Sequence, residues 1–317
     1  MSGFITGQAD YLFRVVLTII YFCSSLSTST LILFYASLLG SGNTYCMRVR
    51  SIFSVVTCAP WLLCFGIRLA IEREDLAFSD TQSTRTVNIG THASHIDGLS
   101  MMVAYWRNRH RHIPPCAVVK REVLLTPFYG PFAKFVGNVL VARGSTKQAA
   151  KESMDTVSRR MREGYVIGAF PEGSRRRTPS TGKNHLLPFK KGIFHMMTKA
   201  ADEGVSVVVS PFCLVGSRTA WPKGRLIPTP GSKVLLKFCP QFSVLPTESP
   251  EELAAKTERV IQEGIESVCR NKAGEYDVEN AFAKGTEINL AKEFLLEAIL
   301  LTLPPIITVF LAYKGML

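Results

Sequence analysis

The chain has 317 residues, of which 47% are hydrophobic and 20% charged, and its formal net charge is +12. This length can bury a sizeable core in one or two domains. Eight scattered cysteines, without a Cys-x-x-Cys spacing, exclude a disulfide framework and a zinc site and predict reduced, buried thiols. The basic excess suits an anionic partner: nucleic acid, anionic lipid headgroups or a polyanionic cofactor.

Three apolar runs lie near the two ends of the chain, at residues 11–39, 52–71 and 294–313. A helix needs about 20 apolar residues to cross a bilayer. The first run is long enough to span or to form a shallow hairpin, whereas the other two are borderline. We expect membrane-anchoring helices in residues 1–72 and a membrane-associated helix in residues 293–317. Buried core helices are the alternative. Because of these runs, we expect the basic surface to face membrane lipids and not nucleic acid.

Between the apolar ends, short apolar stretches alternate with amphipathic ones from about residue 84. In chain order, this pattern predicts strands at 86–89, 117–119, 139–141, 165–170, 205–209 and 234–238 and helices at 97–106, 145–163, 191–201 and 251–268. The alternation indicates a layered α/β domain around a largely parallel sheet, which we place at residues 73–272, followed by a linker at 273–292. Ligand sites in such sheets collect at the carboxyl ends of the strands.

The first chemical motif is Thr-His-Ala-Ser-His-Ile-Asp at residues 91–97, which follows a predicted strand and leads into a helix. Asp97 can accept a hydrogen bond from Nδ1–H of His92, which leaves Nε2 free to take a proton. The spacing of the two residues also arises by chance, so a structural role is the alternative. His92 and His95 could bind a metal, but no third ligand lies nearby in the sequence. Ser94 as a nucleophile lacks a supporting Gly-x-Ser-x-Gly elbow.

The second motif is Phe-Pro-Glu-Gly-Ser-Arg at residues 170–175. Gly173 lets the backbone approach a ligand, and Arg175 can clamp a phosphate in bidentate fashion. Glu172 can hold an arginine or a substrate hydroxyl. A buried turn with a structural ion pair is the alternative.

Two further basic positions follow predicted elements. Arg143 comes after the strand at 139–141, and it either binds an anion or pairs with Glu172. Lys190 belongs to the run Leu-Pro-Phe-Lys-Lys-Gly at 187–192, which adds positive charge. A base without a protein nucleophile, facing anion-binding arginines, predicts that the nucleophile belongs to a phosphorylated substrate.

His92-x4-Asp97 and residues 137–143, 170–175 and 187–192 together resemble, in order and spacing, the glycerolipid acyltransferase family. The resemblance covers roughly residues 84–215 and is greatest to the 1-acyl-glycerol-3-phosphate (lysophosphatidate) acyltransferases. It implies transfer of a fatty acyl group from acyl-CoA to the sn-2 hydroxyl of 1-acyl-glycerol-3-phosphate, giving phosphatidic acid. In that mechanism His92 is the base, Asp97 orients it and no acyl-enzyme forms. The resemblance implies acyl-CoA as co-substrate, without a tightly bound cofactor or a metal.

The same resemblance implies substrate-binding roles for Gly137, Arg143, Glu172, Gly173, Ser174, Arg175 and Lys190. Three departures from the family pattern accompany it. Thr91 stands where the family commonly has asparagine, and Ala142 stands where an acidic residue is common. The fourth motif, at residues 204–211, is only partly present because Pro211 is displaced.

Other functions are compatible with the same residues. The acceptor can be glycerol 3-phosphate or another lysophospholipid, and a hydrolase of acyl-CoA or lysolipid would use the same base on water. A non-catalytic lipid-binding protein is a third class, which the intact His92 and Asp97 disfavour. The positive charge places the catalytic domain in the cytosol. We therefore expect the cytosolic face of the endoplasmic reticulum, or of the inner membrane in a bacterium.

Overall fold

A nine-stranded sheet forms the centre of the part of the chain that the structure, a computed structural model, describes. That part comprises residues 16, 19, 62–63, 65–78, 83–108, 115–125, 133–134, 137–141, 147–174, 186–225, 228–268 and 277–293. The strands are β1 (Arg68–Glu72), β2 (Arg85–Gly90), β3 (Pro115–Lys120), β4 (Val139–Val141), β5 (Val166–Ala169), β6 (Val207–Val215), β7 (Lys233–Phe238), β8 (Phe242–Ser243) and β9 (Thr286–Glu287).

The strands follow the order β4-β3-β5-β2-β6-β7-β1-β9, and β8 pairs with β6. From β4 to β6 all neighbours are parallel, as predicted. β7 runs antiparallel to β6, and β1 is parallel to β7. The short strands β8 and β9 are antiparallel to their partners. The loops after β2, β5 and β4 therefore leave the same edge of the sheet.

Helices cover both faces of this sheet. They are α1 (Ile96–Arg107), α2 (Lys147–Arg162), α3 (Gly192–Asp202), α4 (Ser217–Ala220), α5 (Pro250–Glu266) and α6 (Val278–Lys284), with 3-10 turns at Glu74–Ala77 and Arg121–Leu125. Successive side chains of a strand point to opposite faces of the sheet, so alternate residues of β2 contact the helices on one face or on the other. Val87 and Ile89 join the apolar cluster that includes α2, α3 and α5. Asn88 faces the other side, where its Nδ2 donates to the hydroxyl of Tyr105 in α1 at 3.1 Å.

Local sequence signals account for the clearest helices. Ser249 caps α5 in a capping box with Glu252, and Pro250 occupies the first turn, where its missing N–H costs nothing. In α2, Val157 and Met161 are buried at helical spacing, as predicted. The predicted strand at 205–209 is longer in the structure, because β6 continues through Pro211 to Val215.

Two predicted boundaries need correction. Residues 68–71 were assigned to a borderline membrane run, but they form β1, which lies between β7 and β9. The α/β unit thus begins before residue 73. The predicted linker at 273–292 contains α6 and β9, and its side chains Phe282, Ile288 and Leu290 are buried. A short strand buried on both faces has the same apolar composition as a membrane run, which is why the sequence did not distinguish them.

Three cysteines lie within the described residues, and all three are buried free thiols, as predicted: Cys116, Cys213 and Cys239. Burial raises the pKa of the Cys116 thiol to about 12, so this side chain is neutral at physiological pH.

Among the described residues, no helix is long and apolar enough to cross a membrane. Nearly all of the first apolar run and the whole third run lie outside the described residues, so the predicted anchors stay predictions.

Candidate active site

His92 and Asp97 form a hydrogen-bonded pair where β2 ends and α1 begins. The two atoms that meet, Nδ1 of His92 and Oδ2 of Asp97, are 3.1 Å apart. The Asp97 side chain is fully buried, whereas the His92 side chain is 23% exposed. Oδ2 also accepts from the backbone N–H groups of Ala93 at 2.6 Å and Ser94 at 2.7 Å.

This geometry decides which nitrogen of the imidazole can act as a base. An ionised carboxylate only accepts hydrogen bonds, so Nδ1 of His92 carries the proton in the neutral ring. Nε2 is then the unprotonated nitrogen, and within the described part of the chain it forms no hydrogen bond. The positive end of the α1 dipole adds to the stabilisation of the Asp97 charge. The predicted bond between Nδ1 of His92 and Asp97 is therefore present, and its geometry suits a general base with an orienting carboxylate. That the two residues act in these roles stays a prediction.

The Phe170 ring fixes the plane of the imidazole. It stacks on His92 with ring centroids 4.5 Å apart and an interplanar angle of 19°. Phe170 in turn meets Phe212 edge-on at 5.9 Å. A Cβ at Gly90 would lie 2.2 Å from the Phe212 ring, so only glycine fits at the end of β2. The sequence indicates no role for Phe170, although this residue belongs to the motif at 170–175. Its position beside His92 depends on the pairing of β2 with β5.

Glu172 joins the two motifs. Its side chain is only 3% exposed, and Oε1 accepts from the backbone N–H of His92 at 2.9 Å. Oε2 accepts from the backbone N–H of Leu187 at 3.2 Å. Both oxygens therefore hold loop backbone at the site.

We expect Glu172→Gln to destabilise the protein by about 1–3 kcal/mol and to lower the turnover number, because a glutamine offers one acceptor oxygen where two N–H groups now bond. Its NH₂ group would face a second donor, which would shift the His92 loop. Thermal unfolding and steady-state kinetics measure the two effects. Glu251→Gln is the control, because Glu251 is exposed and pairs with Lys191 only at the surface. Equal stability and turnover in both variants would contradict this role of Glu172.

Gly173, Ser174 and Lys190 lie together on the anion-binding side that the sequence predicts. Gly173 has a φ of +67°, and a Cβ there would come within 2.8 Å of Cε of Lys190. The backbone N–H of Lys190 donates to the carbonyl of Pro171 at 2.9 Å, which holds the lysine against the turn. Lys190 is exposed and Ser174 is half-buried, so both are accessible to a ligand.

The other predicted substrate-binding residues have different positions. Arg143 and Arg175 lie outside the described residues; the described segments before them end at Val141 and Ser174. Gly137 precedes β4, where its φ of +93° permits a turn. The strand register sets Gly137 toward the amino end of the parallel strands, away from the edge that carries His92.

Ser94 and His95 have structural partners. Ser94 is fully buried, and its hydroxyl donates to the carbonyl of Trp221 at 3.1 Å and accepts from the N–H of Ile96 at 3.2 Å. A hydroxyl held in this way is not an accessible nucleophile. The His95 ring packs against Trp221 with centroids 4.7 Å apart. The two histidines of the loop therefore have different partners, carboxylate for one and indole for the other.

Thr91 holds the His92 loop to the neighbouring strand. Its side chain is buried, and Oγ1 accepts from the backbone N–H of Leu214 in β6 at 3.1 Å. Thr91 therefore has a structural role of its own at the position where asparagine is common in the family that the sequence resembles. This contact joins residues 123 positions apart, so local sequence patterns could not reveal it.

Comparison with known proteins decides the family. The family model described as Acyltransferase matches residues 39–215, which is more than half of the chain. The chain belongs to the acyltransferase family. In this acyltransferase-family chain the matched region includes His92, Asp97 and the turn at 170–174.

Several curated relatives carry the name 1-acyl-sn-glycerol-3-phosphate acyltransferase. The protein from Limnanthes alba is 28% identical over 185 residues, which cover 58% of this chain and 57% of the relative. The Escherichia coli protein is 28% identical over 162 residues, covering 50% and 61% respectively. The alpha form from Mus musculus is 29% identical over 189 residues, covering 60% and 58%. The matched regions thus span less than two thirds of each of these relatives.

A solved structure has the same fold as this acyltransferase-family chain. It is the 1-acyl-sn-glycerophosphate (LPA) acyltransferase PlsC from Thermotoga maritima, with a TM-score of 0.58 and 21% identity. The alignment covers 81% of this chain and 96% of that one. The comparison confirms the predicted α/β fold of the acyltransferase domain.

Proposed function

We propose that this protein transfers a fatty acyl group from acyl-CoA to the sn-2 hydroxyl of 1-acyl-glycerol-3-phosphate, producing phosphatidic acid. The observation that carries the proposal is the bond from Nδ1 of His92 to the buried carboxylate of Asp97, because it leaves Nε2 unprotonated on a partly exposed ring. Membership of the acyltransferase family supports the reaction class. The names of the relatives support the choice of acceptor.

In the proposed reaction, Nε2 of His92 removes the proton of the acceptor hydroxyl as its oxygen attacks the thioester carbonyl. The resulting tetrahedral intermediate collapses, the carbon–sulfur bond breaks and the acyl group stays on the acceptor oxygen. The imidazolium of His92 then gives its proton to the departing CoA thiolate. The carboxylate of Asp97 stabilises the positive charge on the ring during this exchange. No acyl-enzyme is needed, because the substrate supplies the nucleophile.

The acceptor phosphate is proposed to bind beside the turn at 170–174. Arg143 and Arg175 would supply bidentate guanidinium contacts, and Lys190, Ser174 and the backbone of Gly173 would complete the site. Neighbouring strands are about 4.8 Å apart, so the loop after β5 is one strand from His92 and the end of β4 is about 14 Å from it. In the acceptor, the phosphate and the sn-2 hydroxyl are joined by a short glycerol backbone, which is shorter than the distance of about 14 Å between His92 and the end of β4. Glu172 would act by holding the His92 loop, and Gly137 by shaping the turn before β4.

We also propose that the protein works at a membrane, with its catalytic domain in the cytosol at the endoplasmic reticulum or at the inner face of a bacterial membrane. A lysolipid acceptor and the apolar runs at 11–39 and 294–313 support this placement. The net charge of +12 would favour an anionic lipid surface.

An acceptor panel tests the proposed substrate. The full chain, purified in detergent, is assayed with acyl-CoA and with lysophosphatidate, glycerol 3-phosphate or lysophosphatidylcholine. We expect the highest kcat/KM for lysophosphatidate. Its terminal phosphate, which lysophosphatidylcholine lacks, suits the predicted arginines, and its acyl chain, which glycerol 3-phosphate lacks, suits an enzyme that works at a membrane. A clear preference for lysophosphatidylcholine would contradict the proposed acceptor, and a preference for glycerol 3-phosphate would move the protein to the earlier acylation step.

A further inference from the structure

Two buried oxygen atoms on α1 have no hydrogen-bond partner among the described residues. They are Oδ1 of Asp97 and Oγ of Ser100. Both residues are 0% exposed. Buried polar atoms in folded proteins are almost always hydrogen-bonded, so two orphans on one helix need an explanation.

The helix places these two side chains on the same face. Asp97 and Ser100 are three positions apart in α1, and residues at this spacing lie on the same face, with Cβ atoms about 5–6 Å apart. Helical side chains lean toward the amino terminus, so Ser100 leans toward the turn that holds Asp97. The two atoms form no direct hydrogen bond, but one water molecule with two bonds of about 2.8 Å can span such a separation. The chemistry is complementary, because the hydroxyl donates and the carboxylate oxygen only accepts.

Two other buried hydroxyls in helices of this protein bond to the helix backbone. Thr198 donates to the carbonyl of Phe194 and Thr257 to that of Leu253, each four residues earlier. Ser100 makes no such bond. Its hydroxyl is therefore available to a side chain or to a water molecule.

We propose that the Ser100 hydroxyl donates a hydrogen bond to one buried water that in turn donates to Oδ1 of Asp97, and that Ser100 is a positioning residue for the His92–Asp97 pair. The inference rests on the proposed function, in which His92 is the base. Oδ2 of Asp97 already accepts from His92, Ala93 and Ser94. A bond to Oδ1 on the opposite side fixes the rotation of the carboxylate, and with it the direction in which Oδ2 meets Nδ1.

A rival partner for Ser100 lies on β2. Oδ1 of Asn88 is also buried and unpartnered among the described residues. Asn88 bonds to Tyr105 of the same helix, so it faces α1. A bond from Ser100 to Asn88 would contribute to stability without touching the catalytic pair, and the test must separate these cases.

The test compares Ser100→Ala with Ser158→Ala in the full-length enzyme. Ser158 is a matched control, because it is 3% exposed, its hydroxyl is likewise unpartnered and it lies on α2 at the opposite face of the sheet. We expect Ser100→Ala to lower kcat about tenfold, the effect of losing a hydrogen bond to a charged group, with little change in KM. Ser158→Ala should retain wild-type kcat. Equal kcat in the two variants would overturn the inference.

A double-mutant cycle with Asp97 distinguishes a positioning role of Ser100 from a purely structural one, because it compares the loss of kcat caused by Ser100→Ala in two backgrounds. In the Asp97→Asn background, Ser100→Ala should cause no further loss of kcat, because the carboxylate that Ser100 positions is already absent. The same tenfold loss in both backgrounds would assign Ser100 to the fold, as the Asn88 partner predicts. Ser100→Cys keeps the volume with a weak donor and replaces the alanine variant if that variant does not fold.

His92→Ala in the same assay distinguishes a failure of the proposed function from a failure of the proposed role of Ser100. If His92→Ala retains activity, the proposed function fails. If His92→Ala is inactive and Ser100→Ala matches Ser158→Ala, only the role of Ser100 fails.

Discussion

We expect His92→Ala to lower the turnover number for acyl transfer by about 100- to 10,000-fold, the usual contribution of a general acid–base residue. The alanine cannot remove the proton of the acceptor hydroxyl or return one to the CoA thiolate. The KM values should change little, because the substrate-binding residues proposed above lie on other loops. Initial rates of phosphatidic acid formation measure the effect.

The fold should tolerate this change. The His92 side chain is partly exposed, and Oδ2 of Asp97 keeps its bonds from Ala93 and Ser94 when the imidazole is removed. Circular dichroism and thermal unfolding should therefore give a nearly native result. His95→Ala is the control from the same loop. His95 is exposed, and surface substitutions usually change free energies little, so we expect its activity to stay within about twofold of wild type. If His92→Ala stays active, or if His95→Ala is the inactive variant, the base has been assigned to the wrong residue.

We expect Asp97→Asn to lower the turnover number by about 100- to 10,000-fold as well, because an orienting carboxylate in such a pair contributes on this scale. The amide has no negative charge to stabilise the imidazolium of His92. It also carries donor hydrogens, which compete with Nδ1–H and the N–H groups of Ala93 and Ser94 for a single acceptor oxygen. The wrong imidazole tautomer then becomes populated.

Asp97→Asn differs from His92→Ala in its cost to the fold. Asp97 is fully buried, so an unpaired backbone N–H in this loop should reduce the free energy of unfolding by about 1–3 kcal/mol. Asp155→Asn makes the same chemical change at an exposed position on α2. It should leave the turnover number and the free energy of unfolding unaltered. An Asp97→Asn enzyme with wild-type turnover would show that the carboxylate only supports the loop.

The parallel centre of the fold was predictable because its signals are local. Strands β2 to β7 and helices α1, α2, α3 and α5 have hydrophobic periodicities that the sequence displays directly. The rule that sites gather at the carboxyl ends of parallel strands predicted a shared site for the His92 motif and the turn at 170–174. The structure adds that these segments follow two neighbouring strands, β2 and β5.

The elements that the sequence analysis missed depend on distant partners. The middle of β1, residues 69–71, is apolar and buried in the sheet between β7 and β9, and that composition also fits a membrane run. α6 and β9 are short and mostly polar, and they form because Phe282 and Ile288 are buried against the sheet. No pattern within these segments indicates such contacts.

The pairing of His92 with Asp97 was predictable, but the contacts that hold the pair in place were not. His92 and Asp97 are five residues apart and lie at a strand-to-helix junction, so their pairing followed from local geometry. The stacking of Phe170 on His92 and the bond from the His92 N–H to Glu172 join segments about 80 positions apart. Glu172 was predicted to hold an arginine or a hydroxyl, and the structure adds two backbone N–H groups to its partners.

Product analysis with a labelled acyl donor tests most directly whether His92 activates the hydroxyl of a lysolipid. The full chain is incubated with acyl-CoA labelled in the acyl group and with lysophosphatidate, and the lipids are separated. We predict that the label appears in phosphatidic acid with the wild-type protein and that His92→Ala forms almost none. Label found only in free fatty acid would instead indicate hydrolysis, and wild-type amounts of phosphatidic acid from His92→Ala would contradict the role of this histidine.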